Sequence, residues 1–218
     1  MQKWFELNKV RKKKVESVLK LRQPDLTVIL ENIWDPHNIS AIMRSCDAVG
    51  ISEIFVVNTA LPKHQNWGFR SSAGALKWVI VHQFDNLDLC LAEVRKWHPN
   101  IYATHLTAVS TDLFAMDFTQ PMALVFGNEH DGCSPEVVAA CNGTISIPQM
   151  GMVQSLNVSV ACAVTLYEAL RQKREAGHYD EPRLPADKRD QIQARWGDYE
   201  ILQRIQRDGS QEGGVSKE

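Results

Sequence analysis

The run from Asn142 to Arg174 constrains the fold more than any other stretch of the chain. Thr144 to Ile147 reads as a short strand that stops at Pro148, a residue with no backbone donor to give a ladder. Gly151 then lets the backbone bend sharply or come close to a ligand. Ser155 and Asn157 follow at the start of a helix of about four to five turns, where side-chain oxygens cap free N–H groups. From Val158 to Leu166 the residues are small or apolar on nearly every face, so this helix is expected to be enclosed by protein on all sides, a partner chain included.

Upstream, strands and helices alternate. Phe5 to Leu21 reads as a basic helix closed by Pro24, with Leu7, Val10, Val15, Val18 and Leu19 as its apolar positions. Leu26 to Leu30 is apolar apart from Thr27, as a buried parallel strand would be. Asn38 is positioned to cap a helix running to Val49, and Gly50 to end it. Strand Glu53 to Val57 completes a β-α-β unit. Strand Trp78 to His82, helix Leu87 to Trp97, strand Ile101 to Thr104 and strand Met122 to Phe126 continue the series, which implies a parallel sheet covered on both faces.

Charge is distributed unevenly. Residues 1–22 carry Lys3, Lys9, Arg11, Lys12, Lys13, Lys14, Lys20 and Arg22 against Glu6 and Glu16, a net of +6, whereas residues 23–170 have a net of −8. A basic arm on an acidic body suits a polyanionic partner, nucleic acid or an anionic membrane, and equally a solvated helix face. In the loop from Asn58 to Gly74, Lys63, His64, Trp67, Phe69 and Arg70 mix cations with aromatics. That mixture fits either stacking on exposed bases or a loop folded over its own rings. Cys46, Cys90, Cys133, Cys141 and Cys162 have no metal-like spacing and read as buried or free thiols in a reducing, cytoplasmic setting; no metal is expected. No apolar run reaches the roughly 18 residues of a membrane span.

Strand Met122 to Phe126 runs into Gly127-Asn128-Glu129-His130-Asp131-Gly132, at the carboxyl end of a parallel strand where ligands of open α/β sheets bind. Taken alone, the turn fits a ligand loop or a plain polar turn. No GxGxxG, P-loop, GxSxG elbow or HExxH occurs. Three segments in order are more specific: Asn38-Ile-Ser-Ala-Ile-Met-Arg44, Leu124-Val-Phe-Gly-Asn-Glu129-His-Asp-Gly-Cys-Ser134, and Ile147-Pro-Gln-Met-Gly-Met-Val-Gln-Ser-Leu-Asn157-Val-Ser. Together they resemble the motifs of the SPOUT methyltransferases, and within them the TrmH branch of tRNA guanosine 2′-O-methyltransferases. The resemblance covers roughly residues 7–174.

That resemblance implies an α/β fold, a parallel sheet flanked by helices with a C-terminal trefoil knot. It also implies a homodimer with the active site at the subunit interface, and S-adenosylmethionine as cofactor. By the same analogy the cofactor pocket involves Thr104, His105, Leu106, Gly127, Ile147, Met150, Ser155 and Leu156, and the catalytic residues are Asn38, Arg44, Glu129, Ser155 and Asn157. Asn38 and Ser155 each carry a second reading as helix caps. The expected organisation is a basic helical arm over 1–22, a methyltransferase domain over 23–174, and a helical extension over 175–218 that starts at Pro185, carries Ile192, Trp196, Tyr199, Ile201, Leu202 and Ile205 on its apolar face, and frays from Ser210.

An acidic body cannot attract RNA by itself. RNA contacts are therefore expected from Lys9, Arg11, Lys12, Lys13, Lys14, Lys20 and Arg22 on the arm, Lys63 and Arg70 in the loop, and Arg171, Lys173 and Arg174 at the tail. With 25 residues before the first strand, no separate N-terminal RNA-binding domain is expected. Ribosomal-RNA relatives in the resembled family often carry such a domain, so the resemblance implies tRNA as the substrate, at guanosine 18 of the D-loop. Another tRNA or rRNA position, or a noncatalytic RNA-binding module of the same fold, are the alternatives.

Overall fold

A computed structural model describes residues 9–62, 77–107 and 109–197. Lys63, Arg70 and the aromatic residues between them lie outside these, as do Tyr199 to Ile205 of the expected tail helix. Within them, seven strands form one sheet in the order β3-β2-β1-β6-β4-β7-β5, every pairing parallel. The strands are β1 (Leu26–Glu31), β2 (Glu53–Val57), β3 (Ile80–Phe84), β4 (Asn100–Thr104), β5 (Thr111–Asp112), β6 (Met122–Phe126) and β7 (Gly143–Ser146).

Side chains that alternate along a strand face opposite sides of the sheet, and here both sides are apolar. Val28, Leu30, Ile54, Val56, Leu124 and Phe126 join Ile39, Ile42, Met43 and Cys46 of α2 (Pro36–Val49) and Cys162 and Leu166 of α5 (Val158–Glu175) in one core. Their neighbours Ile29, Phe55, Val57, Ala123 and Val125 pack instead with Cys90, Leu91 and Val94 of α3 (Leu87–Arg95) and Val137 of α4 (Pro135–Ala140). All five cysteines are free.

Several boundaries differ from the sequence expectation, each for a local reason. α2 starts at Pro36 with Asp35 as its cap, accepting from the His37 N–H, so Asn38 lies inside the first turn and is not the capping residue. Proline at the first helical position, where its missing donor costs nothing, makes that start favourable. Gly50 ends the helix at φ +93°, and a Cβ there would meet the Leu21 carbonyl oxygen at 2.6 Å. β3 begins two residues later than expected because Trp78 is held elsewhere, edge-on to Trp196 at 5.3 Å. The short α4 follows Ser134, whose side chain accepts from Val137 N–H; Ser-Pro-Glu is the local start signal for this unexpected helix. The two-residue β5 carries no such signal.

α5 is closed on one side only. Val158, Cys162, Thr165, Leu166 and Ala169 are buried, while Val160, Val164 and Tyr167 remain exposed within the chain.

The basic arm is helical from Lys9 to Lys20 (α1), and its Val15 and Leu19 pack on Leu184, Ile192 and Trp196, the last two from a helix over residues 186–197 (α6). Two of the expected RNA contacts are consumed in fixing this assembly. Arg22 is fully buried, donating to Asp47 Oδ1 at 2.6 Å and to the Ile51 carbonyl at 2.8 Å. Lys173 is fully buried 3.0 Å from Asp25, which also meets Arg183 at 3.0 Å. Removed from water, both cations are held by carboxylates and neither reaches a polyanion. Arg171 is exposed but grips Glu168 and Glu175 on its own helix.

A second anchor joins α6 to the sheet: Lys188 lies 2.6 Å from Glu53, which also pairs with His82 at 2.9 Å. Burial raises the Glu53 pKa, but the hydrogen bonds and charges of His82 and Lys188 more than offset it and hold it at about 2. A carboxylate depressed below its unfolded value of about 4.3 stabilises the fold above that pH and loses the contribution as pH falls toward the folded value. Glu53→Gln should therefore flatten the decline in urea midpoint between about pH 5 and pH 2; an unchanged decline would place the acid sensitivity elsewhere.

Candidate active site

A parallel sheet sends the carboxyl ends of all its strands to one edge, and the loops leaving β4, β6 and β7 meet there around a cavity of about 430 Å³. Its wall contains Thr104, His105 and Leu106 after β4, Phe126 to Gly132 after β6, and Ser146, Ile147, Gln149 and Gln154 to Val158 after β7. Seven of the eight residues expected to hold a cofactor thus stand together. Met150 does not: it is 95% exposed and outside the wall, where Gln149 takes its place. Gln149, Gln154, Val158 and Ala161 also line the cavity and were not singled out as cofactor contacts, although the first three lie within the third motif and Ala161 two residues beyond it.

Each loop is fixed locally. The β4 loop is pinned by Ser110, whose hydroxyl donates to the His105 carbonyl at 2.7 Å and meets Thr144 Oγ1 at 2.8 Å. In the β6 loop the chain doubles back so tightly that a Cβ on Gly127 would stand 2.2 Å from Cys133 N and from Gly132 C and O, which excludes every other residue there. Gly151 is under no such demand, with nothing among the described residues within 4 Å of its Cβ position. Asn157 is the cap of α5, its Oδ1 accepting from Ser159 N at 2.9 Å and Ser159 Oγ at 2.6 Å. Ser155 therefore does not cap this helix; it is part of the cavity wall.

At the rim the three motifs connect through side chains. Asn157 Nδ2 donates to Asn38 Oδ1 at 3.2 Å, and Asn38 Nδ2 donates to Glu129 Oε1 at 2.8 Å. Glu129 also accepts the Trp34 N–H at 3.0 Å and the Asp35 N–H at 3.3 Å. Partial burial raises the Glu129 pKa, but these donors, the Trp34 N–H foremost, bring it below the ordinary carboxylate range. Glu129 is thus an ionised acceptor whose lone pairs are engaged, suited to fixing loops rather than taking up a proton. Arg44 is exposed on α2 and is not part of the cavity wall of its own chain.

A small-molecule cavity at the carboxyl edge of a parallel sheet, rimmed by polar side chains from three loops, is the arrangement of an α/β enzyme. The chain belongs to the SpoU rRNA Methylase family, whose model matches residues 25–167. It is 44% identical over 193 residues to the tRNA (guanosine(18)-2′-O)-methyltransferase of Thermus thermophilus, covering 88% of this chain and 97% of that protein. The crystal structure of the Aquifex aeolicus TrmH/SpoU tRNA modifying enzyme matches with a TM-score of 0.81 at 39% identity, covering 88% of this chain and 97% of that one. The SpoU methyltransferase AviRb from Streptomyces viridochromogenes, solved in complex with the cofactor AdoMet, matches with a TM-score of 0.62 at 31% identity over 72% of this chain and 62% of that one.

If Asn38 and Glu129 form one relay, their substitutions must couple. Asn38→Ala and Glu129→Ala should each lower stability by about 1 kcal/mol, and the double variant should fall short of the sum by about 0.5 kcal/mol or more in urea denaturation. Strict additivity would show that the two side chains act separately.

Proposed function

We propose that this chain transfers a methyl group from S-adenosylmethionine to the ribose 2′-hydroxyl of guanosine 18 in tRNA. The observation that carries this reading is the cavity itself, built from the second and third motifs and rimmed by the Asn157–Asn38–Glu129 relay. The Thermus relative, alike over nearly its whole length, supplies the substrate. The cavity suits an amphiphilic nucleoside: Phe126, Ile147 and Leu156 offer apolar wall, Thr104 and Ser155 polar tips, and the volume lies in the range of small-molecule sites.

When bound, S-adenosylmethionine supplies an electrophilic methyl on a sulfonium. The chain's task is to hold the hydroxyl in line and to stabilise the charge it develops. Glu129, Asn38 and Asn157 keep the three loops in register. Arg44, with its planar fork of N–H donors, clamps the neighbouring phosphate and stabilises the forming alkoxide, the proton leaving to a phosphate oxygen or to water. Since Arg44 stands outside the wall of its own cavity, a homodimer with active sites at the subunit interface is the assembly this reading requires. The exposed apolar residues beside the cavity support it: Met152 is 100% exposed, and Val153, Val160, Val164 and Tyr167 continue the surface. A trefoil knot accompanies this reading, and its support is that β7 inserts between β4 and β5, both of which precede it in the chain.

The RNA is drawn by the exposed lysines of α1, namely Lys9, Lys13, Lys14 and Lys20, with Arg174 at the end of α5. This is a cytoplasmic tRNA-modifying role. Incubating the protein with S-adenosylmethionine and unmodified tRNA, then mapping the modified nucleotide, should give 2′-O-methylguanosine at position 18; methylation elsewhere would leave the chemistry and change the substrate. Arg44→Lys should lower turnover by roughly 10²-fold, since an ammonium cannot make the planar two-pronged contact; near-normal turnover would remove the clamp. Lys13, Lys14 and Lys20 changed together to Ala should weaken tRNA binding and flatten its dependence on salt, by about one unit of log–log slope for each phosphate no longer neutralised, while cofactor binding holds. Deleting residues 1–22 is a poorer test because it also removes buried Arg22.

A further inference from the structure

We propose that Asn32 is a positioning residue for methyl transfer, setting through its left-handed backbone and amide side chain the path of the loop whose N–H groups hold Glu129. The proposal rests on the methyltransferase reading above and adds to it a residue outside the three motifs. Among the described residues Asn32 is the one non-glycine with positive φ, +49°. Side chains disfavour that region, asparagine less than most, and such conformations persist where the surroundings impose them and cluster at functional sites.

The surroundings here impose it from both sides. Asn32 N–H donates to the Val57 carbonyl at 2.9 Å. Its Oδ1 accepts from Thr59 N–H at 2.9 Å and Ala60 N–H at 3.0 Å, and its Nδ2 donates to Thr59 Oγ1 at 3.0 Å. These bonds fasten it to the loop that follows β2. In the other direction, its carbonyl accepts from Asn128 Nδ2 at 2.8 Å. Asn128 in turn shapes the cavity turn, its Oδ1 accepting from His130 N–H at 2.8 Å and its carbonyl from Gly132 N–H at 2.9 Å.

The chain leaves Asn32 and within three residues presents the Trp34 and Asp35 N–H groups to Glu129. The next turn brings Asn38 to Glu129 and Asn157. Asn32 thus joins the loop after β2, the cavity turn and the start of α2 at one residue. Its backbone conformation decides where the two N–H groups point. A residue that relaxes to negative φ would turn them off the carboxylate and loosen the rim, although Asn32 is not part of the cavity wall.

The test compares Asn32→Ala, Asn32→Asp and Asn32→Gly in the full-length protein. Aspartate keeps the Oδ1 acceptor and tolerates positive φ; glycine keeps the backbone and loses the side chain; alanine loses both. Expected are a fall in kcat of about tenfold or more for alanine with KM for S-adenosylmethionine little changed, near-normal turnover for aspartate, and an intermediate value for glycine. Hydrogen exchange at the Trp34 and Asp35 amides should accelerate in the same order. Wild-type exchange and turnover in the alanine variant would overturn the proposal, as would equal losses in all three. Should alanine not fold, the aspartate and glycine pair decides by the same ordering. Should the wild-type protein not methylate tRNA, the functional reading fails, and the exchange rates alone still establish or refute the positioning role.

Discussion

Strands that all run in one direction bring their carboxyl ends to a common edge, and the rest of this structure depends on that constraint. The segments around Thr104, Gly127 and Ile147 are remote from one another along the chain, yet they end β4, β6 and β7 and so meet over one cavity. The sheet can be parallel only because both of its faces are covered, by α2 and α5 on one side and α3 and α4 on the other. Burial of the strands and assembly of the site are therefore one event. A change that exposed either face would scatter the loops.

At the rim the chain relies on hydrogen bonding rather than packing. Glu129 is charged, accepts hydrogen bonds from Trp34, Asp35 and Asn38, and is connected through Asn38 to Asn157. A single carboxylate thereby ties the β1–α2 loop, the β6 loop and the cap of α5. Because Asn157 is at once the α5 cap and the relay's end, the longest described helix of the chain is aligned with the site by the same side chain that starts it.

The opposite edge of the sheet is organised by buried charge. Asp25 gathers Lys173 and Arg183, Glu53 gathers His82 and Lys188, and Asp47 holds Arg22. Arg183 and Lys188 thereby fasten the segment after α5 to the body, Arg22 fastens the end of the arm to α2, and α6 packs on α1. Cations near both termini thus divide into buried ones that fix the helices and exposed ones that α1 presents to solvent, which net charge alone cannot distinguish.

The sequence by itself determined the alternating elements, the parallel sheet and the family, because strand hydrophobicity, Gly50 after its helix and the ordered motifs are local signals carried by neighbouring residues. It also marked Asn38, Glu129 and Asn157, but not that they touch. Only the tertiary structure decided that Asp35 rather than Asn38 caps α2, that Met150 turns away from the cavity while Gln149 faces it, and that Arg22 and Lys173 are buried. Each of those outcomes depends on which distant atoms come within hydrogen-bonding or ion-pairing reach once the sheet has formed, and a linear pattern holds no record of those distances.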